Sequence, residues 1–561
     1  MTIHAFQLPS GDGWLHATLT LPPRPQARAA VLICPPLVEE RKASQRAMVD
    51  GARHLAEAAA CVVLRIDYRG CGDSSGMFEA TGVGDWRSDT ERAADWLRAA
   101  FPGLPQIRLG IRAGALLAGT EDTDASAMVI WEPVAGEAFI RQLLQRRMVN
   151  DMIAYGRAQV SRKEIEATLR GGGSVDLDGF TFTGSQCMQL ETCVFPPVER
   201  PLLAFATGAD ERALDALRAH NPDMAARTMR LPPFWNSVGH VDTQPLAEAT
   251  SQWIQKHFDT LHAISPVSLP SPVAPLEAPV TIPAREGELR AILHRPPVDP
   301  PREAFLFLGG WSGDRQGPHR LFLRFARRLA EAGHLCLRMD YRGRGESDGA
   351  VAEAGIGTMV DDAAAAVDWL REQLPASTSI TLVAICSGCK VALGTTVRQP
   401  GIHRLVLWSA EVMGSLRAGD TNLRKTLGAL RAYVKKLGRR ETWAKIVSGK
   451  VRAGMVGKAL ARHETRSADE ARREDEWLGQ FRRYRGRIRF IYGGSDPDAA
   501  QAAAAYTRYC TRHGLVFDLD TIPHAGHSFY GAEWREELLS RTMAWLDSQS
   551  DSAAPVSRPS N

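Results

Sequence analysis

Long apolar runs are missing from this 561-residue chain. No stretch approaches about 18 consecutive apolar residues, which argues against a membrane-spanning helix. The opening segment MTIHAFQLPSGDGW has no basic stretch leading into an apolar core, so no secretory signal is expected. Cysteine is sparse: nine residues, an odd and scattered set, do not make a disulfide framework. These absences together point to a reducing cytoplasm. A dominant charge is lacking too, since 68 basic and 64 acidic residues leave a net +4, too near balance to imply a nucleic-acid partner. What remains is ordinary globular composition, 44% hydrophobic and 24% charged, which excludes disorder or a fibrous repeat for the bulk of the chain.

The organisation comes from an internal repeat. LHATLTLPP from Leu15 matches LRAILHRPP from Leu289, and AAVLICPP matches AFLFLGGW. LRIDYRGCGDSSG from Leu64 matches LRMDYRGRGESDG from Leu337. Asp67 and Asp340 lie 273 positions apart, as do Asp95-Trp96 and Asp368-Trp369. Two copies of one domain follow, over residues 1–262 and 285–549. The proline-rich stretch 263–284 reads as an extended linker and 550–561 as a disordered tail. Short apolar runs alternate with longer helical patterns, so each copy is expected to be an α/β unit, a mostly parallel sheet flanked by helices.

In the second copy a strand, a tight turn and a helix meet at Ala384-Ile385-Cys386-Ser387-Gly388-Cys389. Small residues two before and two after the turn suit a nucleophile elbow, G-x-S-x-G in its usual form, with Cys386 at the nucleophile position. An acid and a base should follow in that order. Asp496 comes directly after the strand RIRFIYGG, and His527 lies in the loop IPHAGHSF. Asp498 and His524 are rivals for these two roles, and Glu411, just after HRLVLWSA, is an alternative acid. Backbone N–H groups of Ser387 and of Trp311, beyond Gly310, are the natural oxyanion donors. Cys386 and Cys389 also read as C-x-x-C, a redox dithiol motif. In the first copy the matching turn is Gly110-Ile111-Arg112-Ala113-Gly114, with arginine where the nucleophile belongs. Arginine stays protonated and cannot attack a carbonyl, so this half is expected to be a pseudo-enzyme. Asp210 and His240 stand roughly where an acid and base would fall. Arg112 is a candidate to bind an anion or to form a buried ion pair.

With these motifs in hand, the second half resembles an α/β-hydrolase family associated with the exosortase A system, through GGWSGDRQGPHRLF, LRMDYRGRGESDG, AICSGC and ETWAKIVSGKV. The first half is similar to the companion family, through CPPLVEERKASQR, LRIDYRGCGDSSG, GIRAGALLAG and EPVAGEAFIRQLLQRR. The resemblance implies two tandem α/β-hydrolase domains with helical cap insertions and a cysteine elbow, and it implies no substrate. A departure from the usual elbow is Ala384 in place of the first glycine.

A cysteine acyl-enzyme is itself a thioester, which suits ester or thioester cleavage, or acyl transfer, without metal or cofactor. From Arg417 to Arg462 the chain carries thirteen Lys or Arg against two acids, Asp420 and Glu441. This run, with Lys435, Lys436, Arg439 and Arg440 at its centre, reads as a solvated helix face or as a dock for an acidic acyl carrier protein, coenzyme A or an anionic membrane surface. A non-catalytic scaffold built from two degenerate hydrolase domains is the alternative function.

Overall fold

The computed structural model describes residues 1–119, 124–155, 158–195, 197–208, 211–237, 239–419 and 468–550. Two eight-stranded sheets organise them. The first holds β1 (Thr2–Ser10), β2 (Gly13–Leu21), β3 (Ala30–Cys34), β4 (Val62–Ile66), β5 (Gln106–Ile111), β6 (Ala127–Trp131), β7 (Leu202–Ala206) and β8 (Ala225–Thr228). The second holds β9 (Glu277–Pro283), β10 (Glu288–His294), β11 (Ala304–Leu308), β12 (Leu335–Met339), β13 (Ile380–Ile385), β14 (Ile402–Trp408), β15 (Arg487–Gly493) and β16 (Val516–Ile522). Their spatial orders are β1-β2-β4-β3-β5-β6-β7-β8 and β9-β10-β12-β11-β13-β14-β15-β16. In each, the first two strands run antiparallel and the remainder parallel. This is the α/β-hydrolase strand order, present twice.

Strand β11 explains the layering. All five residues of AFLFL are buried. Successive side chains point to opposite faces. Ala304, Leu306 and Leu308 therefore enter one core with the helices Ile356–Glu372 and Gly388–Arg398. Phe305 and Phe307 enter the other, with the helices Leu321–Glu331 and Ala532–Ser550. A strand covered on both faces reads as a continuous apolar run, which is why the run is visible in the sequence.

The proline-rich connection is not a free spacer. Its residues Glu277–Pro283 are the edge strand β9, where the missing N–H groups of Pro279 and Pro283 are tolerated. The side chain of Gln7 fastens it to the first half, exchanging hydrogen bonds with Ala274 and the Glu277 carbonyl. The tail 551–561 lies outside the described residues.

The halves grip each other reciprocally. Arg65 of β4 makes a bidentate pair with Glu346 at 2.7 and 2.6 Å. Its repeat counterpart, Arg338 of β12, pairs with Asp73 at 2.8 Å, and Asp73 is the counterpart of Glu346. Residue meets counterpart across the interface as in a two-fold dimer. Arg315 joins Asp73 to Asp340 at 2.9 and 2.7 Å. Burial favours the protonated carboxyl of Glu346, but the guanidinium of Arg65 outweighs it and holds Glu346 well below the usual carboxylate range. Among the described residues no helix is long and apolar enough to cross a membrane.

Candidate active site

Both elbows are built by the same backbone device. Cys386 follows β13 with φ 60° and Arg112 follows β5 with φ 54°, left-handed values that cost an ordinary residue of order 1–3 kcal/mol. The turn brings the chain hard against the neighbouring strand. A Cβ on Gly388 would stand 2.3 Å from the Leu308 carbonyl oxygen, and one on Gly114 2.3 Å from that of Cys34. Only glycine fits either place. Ala384 is fully buried in β13 and its methyl is accommodated there.

At the second elbow the three sequence-expected residues converge. His527 Nδ1 meets Asp496 Oδ2 at 2.7 Å. Burial alone would lower the imidazole pKa, but the bond with Asp496 and the contact with the Cys386 thiol push it up to about 10. Asp496 is held below its ordinary value: burial opposes ionisation, and the His527 partner outweighs burial. The rivals are elsewhere. Asp498 stands at the N-cap of the helix Ala499–His513, and its N–H donates to Asp496 Oδ1 at 3.1 Å. The exposed His524 offers its carbonyl oxygen to Tyr155 at 2.9 Å.

Glu411 is beside the nucleophile position, not in the acid position. The Cys386 thiol donates to Glu411 Oε1 at 3.2 Å, and Lys390 Nζ pairs with the other oxygen at 2.7 Å. Burial works against the Glu411 carboxylate, but Lys390 and the thiol hold it below its ordinary value. Lys390 was legible only as the fourth residue after the elbow, on the helix face that turns inward.

Gly310 fits the expected oxyanion loop, since a Cβ there would lie 3.2 Å from Cys386 Cβ. The Trp311 N–H, however, donates to Ser387 Oγ at 2.8 Å, so the seryl oxygen occupies the position expected for an oxyanion. The dithiol motif is not joined. Cys386 and Cys389 are both free, and the buried Cys389 thiol faces the Trp408 carbonyl at 3.5 Å. Burial pushes its pKa well above that of an ordinary thiol.

The first elbow is closed by its own side chains. Arg112, 3% exposed, binds Glu40 at 3.0 and 3.1 Å, reaches Gln142, and lies 4.7 Å from the Trp235 ring centre. The guanidinium already has a protein carboxylate, which is the buried ion pair of the two alternatives expected for Arg112. His240 is exposed. Asp210 lies outside the described residues, and so do Lys435, Lys436, Arg439, Arg440 and nearly all of the basic run.

Sequence reasoning missed how the first half reaches the second site. An insertion between β6 and β7 carries the helix Gly136–Tyr155 and a hairpin, Ser174–Leu177 with Phe180–Thr183. Tyr530 donates to Asp151 at 2.9 Å, and the Ala532 N–H donates to Asp176 at 2.7 Å. With the Tyr155 bond to His524, these clasp both ends of the loop that carries His527. Among the described residues no group of three or more His, Cys, Asp or Glu could hold a metal ion.

A family model, serine aminopeptidase S33 of the hydrolase type, matches residues 318–474, a span that includes Cys386 and stops before Asp496 and His527. An uncharacterized protein of Rickettsia prowazekii (strain Madrid E) is 33% identical over 84 residues, 15% of this chain; the chain spans 34% of that relative's length. Among solved structures, a proline iminopeptidase of Mycobacterium smegmatis is 16% identical, covering 49% of this chain and 100% of its own, with a TM-score of 0.36. The esterase Est1E of Butyrivibrio proteoclasticus, bound to ferulic acid, is 16% identical over 48% of this chain and 99% of its own, with a TM-score of 0.33. A dienelactone hydrolase of Anabaena variabilis is 16% identical over 49% of this chain and 97% of its own, also at 0.33.

Proposed function

We propose that the protein is an acyl-transfer enzyme, cleaving an ester or thioester or passing its acyl group to an acceptor through a thioester on Cys386. The observation that carries this reading is one arrangement: a thiol on a strained elbow, in contact with an imidazole held by a carboxylate at 2.7 Å. The bond with Asp496 makes the imidazole a stronger base, fitted to take the thiol proton.

In the first step His527 takes the thiol proton, Sγ attacks the acyl carbon and the C–S bond forms. The carbonyl oxygen becomes an oxyanion, and the Ser387 and Trp311 N–H groups are its donors. For Trp311 to serve, the Ser387 hydroxyl must rotate away from the position it holds at 2.8 Å. The bond to the leaving group then breaks, and the imidazolium of His527 gives its proton to the departing oxygen or sulfur. In the second step His527 takes a proton from water or an acceptor, which attacks the thioester and frees Sγ. Glu411 orients the thiol in the resting enzyme, while Lys390 keeps that carboxylate ionised. An acyl thioester exchanges with the Cys386 thioester at little energetic cost, so coenzyme A and acyl carrier protein are fitting donors.

Residues 1–262 then form a pseudo-enzyme domain that supports residues 285–549 without covalent chemistry. Intact-mass analysis after incubation with a panel of acyl thioesters tests the reading. An acyl adduct on the parent that is absent from Cys386→Ala is expected; an adduct that persists in Cys386→Ala ends it. If the basic run recruits an acidic donor, reversing Lys435, Lys436, Arg439 and Arg440 raises KM with little change in kcat, and salt weakens the effect.

A further inference from the structure

A cavity of about 250 Å³ lies between the halves, beside the loop that holds Gly310 against Cys386. Ser312, Gly313 and Asp314 of that loop line one wall, Lys42 and Gln45 of the first half another, and Arg344 a third. The carboxylates of its lining already have protein partners. Glu39 meets His319 at 3.0 Å, and Glu40 meets Arg112 and Arg146 at 3.0 and 2.9 Å. Asp178 meets Arg146 at 2.6 Å and Asp314 meets Arg41 at 3.9 Å.

Arg344 is the exception. It is 8% exposed, and its buried Nε and Nη2 have no hydrogen-bond partner among the described residues. The Trp311 ring centre lies 4.5 Å from its guanidinium carbon. Burial and the neighbouring Arg46 cation push its pKa down to about 10, so the site carries a positive charge without an anion. A buried polar group is ordinarily paired, and a buried charge almost always is. The repeat sharpens the point, because the counterpart of Arg344 in the first half is Cys71, a small buried residue. This cation belongs only to the half with the cysteine elbow.

We propose that this cavity is an anion-binding subsite, with Arg344 its principal cation, which holds a carboxylate or phosphate end of the substrate handled at Cys386. The assignment to substrate rests on the acyl-transfer reading above. The fork of a guanidinium matches either oxyanion in a bidentate pair. The volume suits a short acid and not a nucleotide. Stacking on Trp311, whose N–H is a candidate oxyanion donor, ties occupancy of the cavity to the position of that loop.

Calorimetric titration of the full chain with inorganic phosphate, monomethyl succinate and dimethyl succinate tests the subsite. The parent is expected to bind phosphate or monomethyl succinate and not the uncharged diester, and whichever anion binds identifies the chemistry. In Arg344→Met the Kd should rise at least tenfold, and Arg344→Lys should recover part of the loss. Thermal unfolding guards against misfolding: removing an unpaired buried charge should leave the Tm of Arg344→Met at or above the parent's. Should that variant not fold, Arg344→Lys carries the comparison. Neither anion binding the parent, or equal Kd values in parent and variants, overturns the subsite. The link to Cys386 is read from the ratio of its alkylation rates by iodoacetate and iodoacetamide, expected to fall at least fivefold in Arg344→Met. An unchanged ratio beside lost anion binding overturns that link. Slow alkylation of Cys386 by both reagents in the parent overturns the acyl-transfer reading and leaves anion binding standing on the titration.

Discussion

The two elbows share a backbone and part company at one side chain. Arg112 and Cys386 sit at φ 54° and 60°, each followed two residues later by a glycine that no larger residue could replace. One turn is filled by a guanidinium locked onto Glu40 at 3.0 Å; the other presents a thiol to Glu411 at 3.2 Å and to His527. Strain of order 1–3 kcal/mol is therefore kept at an elbow that carries an arginine. A strained elbow alone does not mark chemistry here; what marks it is which groups the turn aims at. The reciprocal pairs Arg65–Glu346 and Arg338–Asp73 give a physical reason for both halves to persist together, because each half buries charges that the other neutralises.

The largest expected effect separates the elbows outright. Cys386→Ala should lower turnover of an activated aryl ester by at least about a thousandfold, since it removes the bond-forming atom. Arg112→Ala should leave turnover per folded molecule within a few-fold, although it frees a buried carboxylate and lowers stability. Equal inactivity of the two variants, measured as kcat on correctly folded protein, would make the site a joint product of both halves. Next in size is Asp496→Asn, expected to cost about a hundredfold to ten-thousandfold in kcat by loosening the imidazole and lowering its basicity. Glu411→Gln should cost far less than Asp496→Asn if Glu411 only orients the thiol. The reverse ranking would return Glu411 to the role of catalytic acid.

The reciprocal interface gives a third comparison, in stability. Glu346→Gln leaves Arg65 buried without its anion, and Asp73→Asn leaves Arg338 facing Glu277 at 3.9 Å and Arg315 facing Asp340 at 2.7 Å. Each should destabilise the chain by about 3–5 kcal/mol in urea unfolding, and by similar amounts if the interface is symmetric in energy as well as in layout. A loss below about 1 kcal/mol in either would mean that the buried pair is dispensable.

The legible parts of this molecule are those set by local rules. Runs such as AFLFL announce strands covered on both faces, and the order Cys386, Asp496, His527 follows from strand ends along one sheet edge. The elbow could be placed because a cramped turn demands small neighbours. What the sequence hides is set by distance. Nothing near Glu411 says that its carboxylate reaches back over 25 positions to a thiol. No local pattern announces that Asp151 and Asp176 bind a loop more than 350 positions away. Proline content made 263–284 read as a spacer, yet an edge strand can carry prolines on its open side, so composition misjudged Glu277–Pro283. Arg344 was invisible for a different reason: in the sequence it is one arginine among many, and only burial without a partner singles it out.

The smallest effect is a pH dependence centred on the second elbow. His527 is raised from 6.5 to about 10 in the folded chain, so folding takes up its proton more tightly than the unfolded state does. Its contribution to stability is fully present below pH 6.5 and is lost as pH rises through about 10. Its side chain is 42% exposed, and solvent screening keeps the gain to about 1 kcal/mol. At the counterpart elbow the place of the thiol is taken by Arg112, paired with Glu40. Urea unfolding of the parent and of His527→Gln at a series of pH values isolates the term, because other titrating groups cancel in the difference. The parent's advantage should shrink between pH 6.5 and 10, and it should vanish in an Asp496→Asn background, where the partner that raises the imidazole has lost its charge. A difference that stays flat or grows across that window would mean that the imidazole is not held protonated by its bond with Asp496.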